Sequence, residues 1–427
     1  MNSKISLDET DRDRLAGAEG AAMQLAMQTL LLAASIMGAR RLIPVNFAHL
    51  DACFYTGQAH VDFAGYLLEN GARFSIPTWT NVGMVSLEDP SLRPESEAPE
   101  MVTGARRLMQ IYANLGAKPV WTCAPYQLPG RPRLGDHIVA GESNAVTFYN
   151  SVLGARTNKY GDYLDVACAL VGKAPLAGLH LDEARAGEVH FDIATLSGAF
   201  LREDILYHLL GHHLGKIAGQ RIPVISGFPT DSTEDNLKAV SAAVAASGGV
   251  ELWHAVGRTP EAPDIDRAFH GRRPAATIQV THEDLALAHR ELSSARDGPL
   301  AMVALGTPHF SLAEFAQLAL HIADRKIKPG LKLYVSTSRF IRDLAAARGW
   351  IDTLERAGAT IVVDTCTYYS PAVRGARGRV MTNAAKWAYY APGMLGVEVA
   401  FGSLKECVES AVRGEVWRDP ALWKFLS

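Results

Sequence analysis

Cysteine is scarce in this chain. There are five among 427 residues, none in a Cys-x-x-Cys pair, too few and too scattered for a disulfide framework at this size. No Walker-type phosphate loop is present, and no Gly-x-Gly-x-x-Gly follows a strand, so nucleotide-dependent chemistry lacks its usual parts. Positive charge is not in excess. Lys and Arg number 42 against 45 Asp and Glu, a net charge of −3, which leaves no basic footprint for nucleic acid. Long apolar runs are missing too: the most apolar early stretch, Met27 to Met37, is too short to span a bilayer. The opening residues are polar and acidic, unlike a signal peptide. A reducing, cytoplasmic setting is the expectation, with neither nucleic acid nor membrane as partner. No repeat of solenoid period and no low-complexity tract appears.

What is there is a core-forming chain, 48% hydrophobic and 20% charged. A helical opening is expected from Ser6 to Gly38, with Ser6 and Glu9 as a capping box. Strands are expected at Leu42–Val45, Ala72–Ile76, Pro119–Thr122, Ile222–Ser226, Val250–His254, Leu300–Leu305, Lys332–Ser336 and Thr360–Val363. Helices are expected at Val61–Asn70, Val102–Leu115, Glu234–Ser247, Leu312–Ile322 and Ile341–Arg348. Strands alternating with helices predict an α/β fold with parallel sheets. The Pro- and charge-rich stretches Leu92–Pro99 and Thr259–Pro274 read as linkers.

Two cysteines sit in unlike settings, Cys123 in WTCAPY (121–126) and Cys366 in VVDTCT (362–367). Each follows an apolar, strand-like run, where loops of α/β proteins aim polar groups into one crevice. They read either as ligands of an iron centre assembled by folding or as small buried residues. The segments GTP (306–308), STS (336–338) and DTC (364–366) also lie at predicted strand ends. Around Glu142, Ser143 and Asn144, and again at Arg156, Thr157 and Asn158, hydrogen-bonding groups are dense. Arg156 offers a planar fork for a carboxylate or phosphate, and its neighbours either orient such a ligand or serve as turn chemistry. Asp136-His137 and His180 with Asp182 bring titratable groups together as candidate acids or bases, or as surface pairs. His208 and His212 have i, i+4 spacing, but without a following Glu they read better as a half-buried helix than as a zinc site. Lys386 follows a glycine-rich basic loop containing Arg374 and Arg377, and suits a substrate carboxylate or a solvated helix face.

Taken together, the strings SNAVTFYNSVLGARTN (143–158), GLHLDE (178–183), LGTPH (305–309), VDTC (363–366), TNAAK (382–386) and AFGSLKECV (400–408) resemble the aconitase X family, from about Leu15 to Gly414. The resemblance implies a multi-domain α/β catalytic core of two or three subdomains, with an internal boundary expected near residue 220. It implies a hydro-lyase with an iron–sulfur centre as Lewis acid. It also implies that the chain is a large subunit lacking the swivel domain, with a small swivel-domain subunit as partner supplying a serine. Family activities are dehydration of cis-3-hydroxy-L-proline to Δ1-pyrroline-2-carboxylate and dehydration of mevalonate 5-phosphate.

By this resemblance Cys123 and Cys366 match cluster ligands, and the third ligand belongs in a Gly-Cys-Pro-His motif. Here that position is Thr307. Cys53, in a stretch resembling a family active-site loop, is the candidate replacement, and the altered set favours a 2Fe-2S cluster over 4Fe-4S or mononuclear iron. Cys168 and Cys407 read as packing. The departure at Thr307 favours hydroxyproline as substrate. A phosphorylated hydroxy acid, with Arg374 and Arg377 as extra cations, and a degenerate, non-catalytic subunit are the alternatives. Arg156 and Lys386 would hold the small hydroxy acid, Ser143, Asn144, Thr157 and Asn158 would orient it, and His49, Glu142 and His180 are the candidate catalytic bases.

Overall fold

The computed structural model describes residues 5–93, 98–295, 297–369 and 378–424. They form two compact units that divide between Ala186 and Gly187.

The N-terminal unit runs through α1 (Glu9–Ala16), α2 (Ala21–Ile36), β1 (Leu42–Pro44), β2 (Ala48–Leu50), α3 (Gln58–Glu69), β3 (Thr78–Thr80), α4 (Pro99–Asn114), β4 (Val139–Ala140), α5 (Ser143–Phe148), α6 (Leu164–Val171) and β5 (Lys173–Pro175). Its three-stranded sheet has order β3-β2-β4, all parallel, and β1 pairs antiparallel with β5. Met27, Leu30, Leu67, Leu108, Tyr112, Val166 and Leu170 fill the core against this sheet.

Three expectations change here. The first helix is capped by Asp8 and Asp11 rather than Ser6 and Glu9, because Ser6 is drawn into a bridge with Arg41. Residues 72–76 form no strand: Phe74 N–H donates to Leu115 O (3.0 Å) and Ser75 N–H to Ala169 O (3.2 Å), neither of them in a strand. Residues 119–122 make no ladder either, since Trp121 takes a left-handed φ of 42° that breaks an extended run.

The C-terminal unit continues through β6 (Val189–Asp192), α7 (Asp204–Ala218), β7 (Pro223–Ser226), α8 (Glu234–Gly248), β8 (His254–Ala255), α9 (Ile265–Ala268), β9 (Ala276–Gln279), α10 (His282–Leu292), β10 (Leu300–Leu305), α11 (Leu312–Ile322), β11 (Lys332–Ser336), α12 (Arg339–Ala346), α13 (Trp350–Ala357), β12 (Ala359–Val362), β13 (Arg379–Thr382), α14 (Ala385–Leu395), β14 (Glu398–Phe401), α15 (Leu404–Arg413) and α16 (Pro420–Trp423). It holds two sheets, β8-β7-β6-β9 and β12-β11-β10-β13-β14, and every pairing in both is parallel. In each, the chain winds outward from the first strand, then returns to its other side. That reversal makes a switch point beside β10 and β13, the crevice where open α/β sheets bind ligands. Helices α7 and α8 pack closely because Gly215 carries no Cβ: one added there would lie 2.8 Å from Val244 O.

The division at Ala186 lies well before the boundary expected near 220, which falls between α7 and β7. The reason is β6, whose sequence VHFD alternates polar and apolar residues and gives no apolar run. Thr259–Pro274 is also packed rather than a free linker, with Ala262, Ala268 and Phe269 buried against Val224.

Candidate active site at the strand ends

In the N-terminal unit, His49 lies within β2 and Glu142 follows β4. His49 is fully buried; its Nε2–H donates to Thr122 O (3.0 Å), and burial lowers its pKa to about 4. Glu142 caps α5, accepting from Ala145 N–H (2.7 Å) and the Asn144 amide (3.2 Å) on one oxygen and from Ser143 on the other (3.3 Å). Asn144 also donates to Cys123 O (2.7 Å) and accepts from Tyr126 Oη–H (2.8 Å), so it fixes the Cys123 loop.

The polar groups farther along spend themselves locally. Arg156 pairs with Asp182 and reaches His180 O (3.3 Å). Thr157 Oγ1 donates to Asn158 O (2.7 Å) and accepts from Ala140 N–H (3.1 Å). Asn158 accepts from Leu179 N–H (2.9 Å) and donates to Ala177 O (3.0 Å). His180 sits between Tyr160 Oη (2.7 Å) and His137 Nδ1 (2.9 Å), and burial, then the His137 charge, lowers its pKa to about 3. Arg185, fully buried, donates to Asn150 Oδ1 and to the carbonyls of Leu179, Asn150 and Ala155. Sequence reasoning missed Arg185; its one signal is a lone arginine just after the GLHLDE string.

Cys53 donates its thiol to Asn81 O (3.3 Å) and Leu50 O (3.4 Å), and burial, then Asp51, raises its pKa well above that of a free thiol. Cys168 and Cys407 lie in helical cores, their thiols likewise raised chiefly by burial.

In the C-terminal unit the five-stranded sheet ends in a polar edge. After β10 comes Gly306-Thr307-Pro308-His309, with a cis Thr307–Pro308 bond. Gly306 has φ 86°, and a Cβ there would strike Ser336 O, so only glycine lets β10 and β11 end side by side. After β12, Asp364 sits at φ 71° and is held by Arg339 through two hydrogen bonds of 2.7 Å. This fork presents Cys366, whose Sγ lies 3.6 Å from His309 Nε2; that nitrogen is also 3.3 Å from Thr365 O. After β13 come Asn383 and the start of α14, with Lys386 buried on its first turn. Trp387 ties α14 to the Cys366 loop, its Nε1–H donating to Thr367 Oγ1 (3.0 Å).

Four side-chain atoms along this edge are buried with no hydrogen-bond partner among the described residues: Thr307 Oγ1, Ser336 Oγ, Thr365 Oγ1 and Asn383 Oδ1. Buried polar groups are nearly always satisfied by protein, water or a ligand, so this row is a place where a bound molecule can add hydrogen bonds. His309, Ser336, Thr365 and Asn383 are not among the site residues expected from sequence, although Ser336 and Thr365 lie in the noted strand-end segments and His309 and Asn383 in the family strings. The helical histidines do not pair for zinc: His208 Nδ1 accepts from Ala385 N–H (3.4 Å), while His212 bonds Glu291 (3.0 Å). Arg374 and Arg377 lie outside the described residues.

Family models match the chain in three consecutive parts: aconitase X first domain at residues 4–183, second domain at 187–290 and third domain at 300–413. The chain belongs to the aconitase X family. The cis-3-hydroxy-L-proline dehydratase of Pseudomonas aeruginosa is 44% identical over 418 residues, covering 97% of this chain and 71% of that protein. The dehydratase of the same name from Hypocrea jecorina is 38% identical, over 97% and 70%. A phosphomevalonate dehydratase large subunit from Thermococcus kodakarensis is 34% identical, over 88% and 92%. The crystal structure of Thermococcus kodakaraensis aconitase X in its holo-form superposes with a TM-score of 0.85 at 31% identity, covering 95% of this chain and all of that one. As an aconitase X protein the chain is a dehydratase, a hydro-lyase with an α/β catalytic core. No described helix is long and apolar enough to cross a membrane.

Proposed function

We propose that this aconitase X chain dehydrates cis-3-hydroxy-L-proline to Δ1-pyrroline-2-carboxylate, with an iron–sulfur centre and a small partner subunit. The observation that carries the substrate is the 44% identity, through nearly the whole chain, to a protein named for that reaction; relatives named for phosphomevalonate reach 34%.

Cys123, Cys366 and His309 are the ligands in this reading. The donor set suits iron: two buried thiols, and a buried imidazole beside Cys366. His309 replaces Cys53 as the third ligand, because Cys53 is held as a protonated thiol by two carbonyls. With threonine at position 307, a 2Fe-2S cluster remains the favoured type. When bound, such a centre supplies Lewis acidity that improves the β-hydroxyl as a leaving group.

The chain's own residues do the rest. Lys386 holds the substrate carboxylate as a buried point charge. The proton leaves Cα, the hydroxyl leaves Cβ, and the two depart as water. The resulting enamine gains a proton on carbon and loses one from nitrogen to give the cyclic imine. Of the candidates within the chain, Glu142 is committed to the start of α5 and His180 lies between Tyr160 and His137, whereas His49 spends only Nε2–H on Thr122 O and keeps a buried Nδ1 with no partner among the described residues, so we take His49 as the base. The name "large subunit" of the phosphomevalonate relatives supports a two-subunit enzyme.

The test is anaerobic purification with iron and sulfide analysis, then assay of cis-3-hydroxy-L-proline and mevalonate 5-phosphate with and without the small subunit. Matched iron and sulfide, and turnover of the proline only with the partner, is the expected result. Preferred turnover of the phosphate ester, or a metal-free inactive complex, overturns the reading.

A further inference from the structure

The four unpartnered atoms on the edge of the five-stranded sheet differ in what they ask for. Thr307, Ser336 and Thr365 offer hydroxyls, which donate to an anion. Lys386, buried in the first turn of α14 just after Asn383, donates only. Asn383 is different. It is 6% exposed, and its carboxamide makes no hydrogen bond among the described residues, so it is free to turn its oxygen toward a ligand N–H. An edge that combines a buried ammonium, hydroxyl donors and an unspent amide oxygen is complementary to a zwitterion rather than to a simple anion. Strand ends in neighbouring parallel strands lie about 5 Å apart. Thr307 and Ser336 follow β10 and β11 and Asn383 follows β13, so the three strand ends extend over about 10 Å at the switch point, room for a five-membered ring with its carboxylate and a hydrogen bond on either side.

We infer that Asn383 is the specificity-determining residue for the ring nitrogen. Its amide oxygen accepts from the secondary ammonium of a cyclic imino acid, while Thr307, Ser336 and Lys386 take the carboxylate. The assignment rests on the proposed hydroxyproline reading and adds how the nitrogen is told from carbon. A ligand with the same ring and carboxylate but no nitrogen leaves Asn383 unsatisfied, which is the way buried polar groups discriminate.

The test compares L-proline with cyclopentanecarboxylate as ligands of the iron-loaded complex, by calorimetry. The native enzyme binds L-proline more tightly by about tenfold or more, the range of a hydrogen bond to a charged group. Asn383→Leu lowers L-proline affinity by that factor and leaves cyclopentanecarboxylate, iron content and absorption spectrum unchanged. Asn383→Asp, which keeps an acceptor, keeps the preference. Thr307→Val weakens both ligands alike and serves if the leucine variant does not fold. A preference that survives in Asn383→Leu overturns the inference while leaving the hydroxyproline activity standing. Conversely, an enzyme inactive on cis-3-hydroxy-L-proline, whose preference for L-proline is abolished by Asn383→Leu, refutes the substrate and not the nitrogen contact.

Discussion

The stretch from His137 to Arg185 and the end of the five-stranded sheet are both rich in polar side chains, yet they are built in opposite ways. In the first, each arginine, amide and imidazole that looks functional is bonded to its own neighbourhood: Arg156 to Asp182, Asn158 to the 177–179 backbone, His180 to Tyr160 and His137. In the second, hydroxyls and an amide stand buried and unpaired around Cys366 and His309. A dense polar sequence closed on itself is architecture. Isolated polar residues at the ends of apolar strands, left unsatisfied, are where a ligand can be held.

Substitutions break this comparison most severely at the thiol. Cys366→Ala is expected to abolish iron binding and to cost more than about a thousandfold in turnover, as loss of a catalytic Lewis acid does; metal analysis beside the assay checks it, and an active, iron-loaded variant refutes the ligand role. Next comes Arg185→Met. It strands the carbonyls of Leu179, Asn150 and Ala155 and should lower stability by about 3 kcal/mol in urea titration. A fall in turnover without a fall in stability would make the region functional after all.

Acid acts on the same region. His180 has its pKa lowered to about 3 from 6.5, so the unfolded chain takes up a proton there that the folded chain refuses. Its contribution is complete above pH 6.5 and is lost as pH falls toward 3, at up to about 1.4 kcal/mol per pH unit. His180→Gln should flatten the acid limb of the stability–pH curve, and an unchanged limb would assign that limb elsewhere. The smallest effect is the most pointed. Thr365→Val, nearly isosteric, removes a buried unpaired hydroxyl and should raise stability by about 1 kcal/mol while weakening ligand binding. A loss of stability instead would mean that this hydroxyl is structurally satisfied.

Much of the C-terminal unit was legible. β10 and β11 fall at the residues expected, because LAMVAL and KLYVS are short apolar runs stopped by Gly306 and by the 336–338 hydroxyls. α11 begins where expected because Ser311 and Glu314 form a true capping box. The N-terminal sheet was harder to read: its strands are two or three residues long, below the length at which alternation registers, and Ala48–Leu50 is not among the strands expected. The site was half legible. Cys366 stood out by residue type, but whether a threonine or asparagine is satisfied depends on partners distant in sequence. Arg156 shows the converse, since Asp182 claims a side chain that looked ready for a ligand.

The strand order has a consequence in time. On the ribosome, β10, β11 and β12 emerge and pair first, yet the other flank of β10 is covered only when Arg379–Thr382 arrives to join it. Until then the central strand of the finished sheet is an edge strand, with its amide and carbonyl groups unpaired. The seam between β10 and β13 therefore closes after those of β11 and β12, and β14 joins β13 last. Pulse-labelled amide exchange during refolding should find β13 and β14 protected after β11 and β12, and simultaneous protection would show the sheet to fold as one piece.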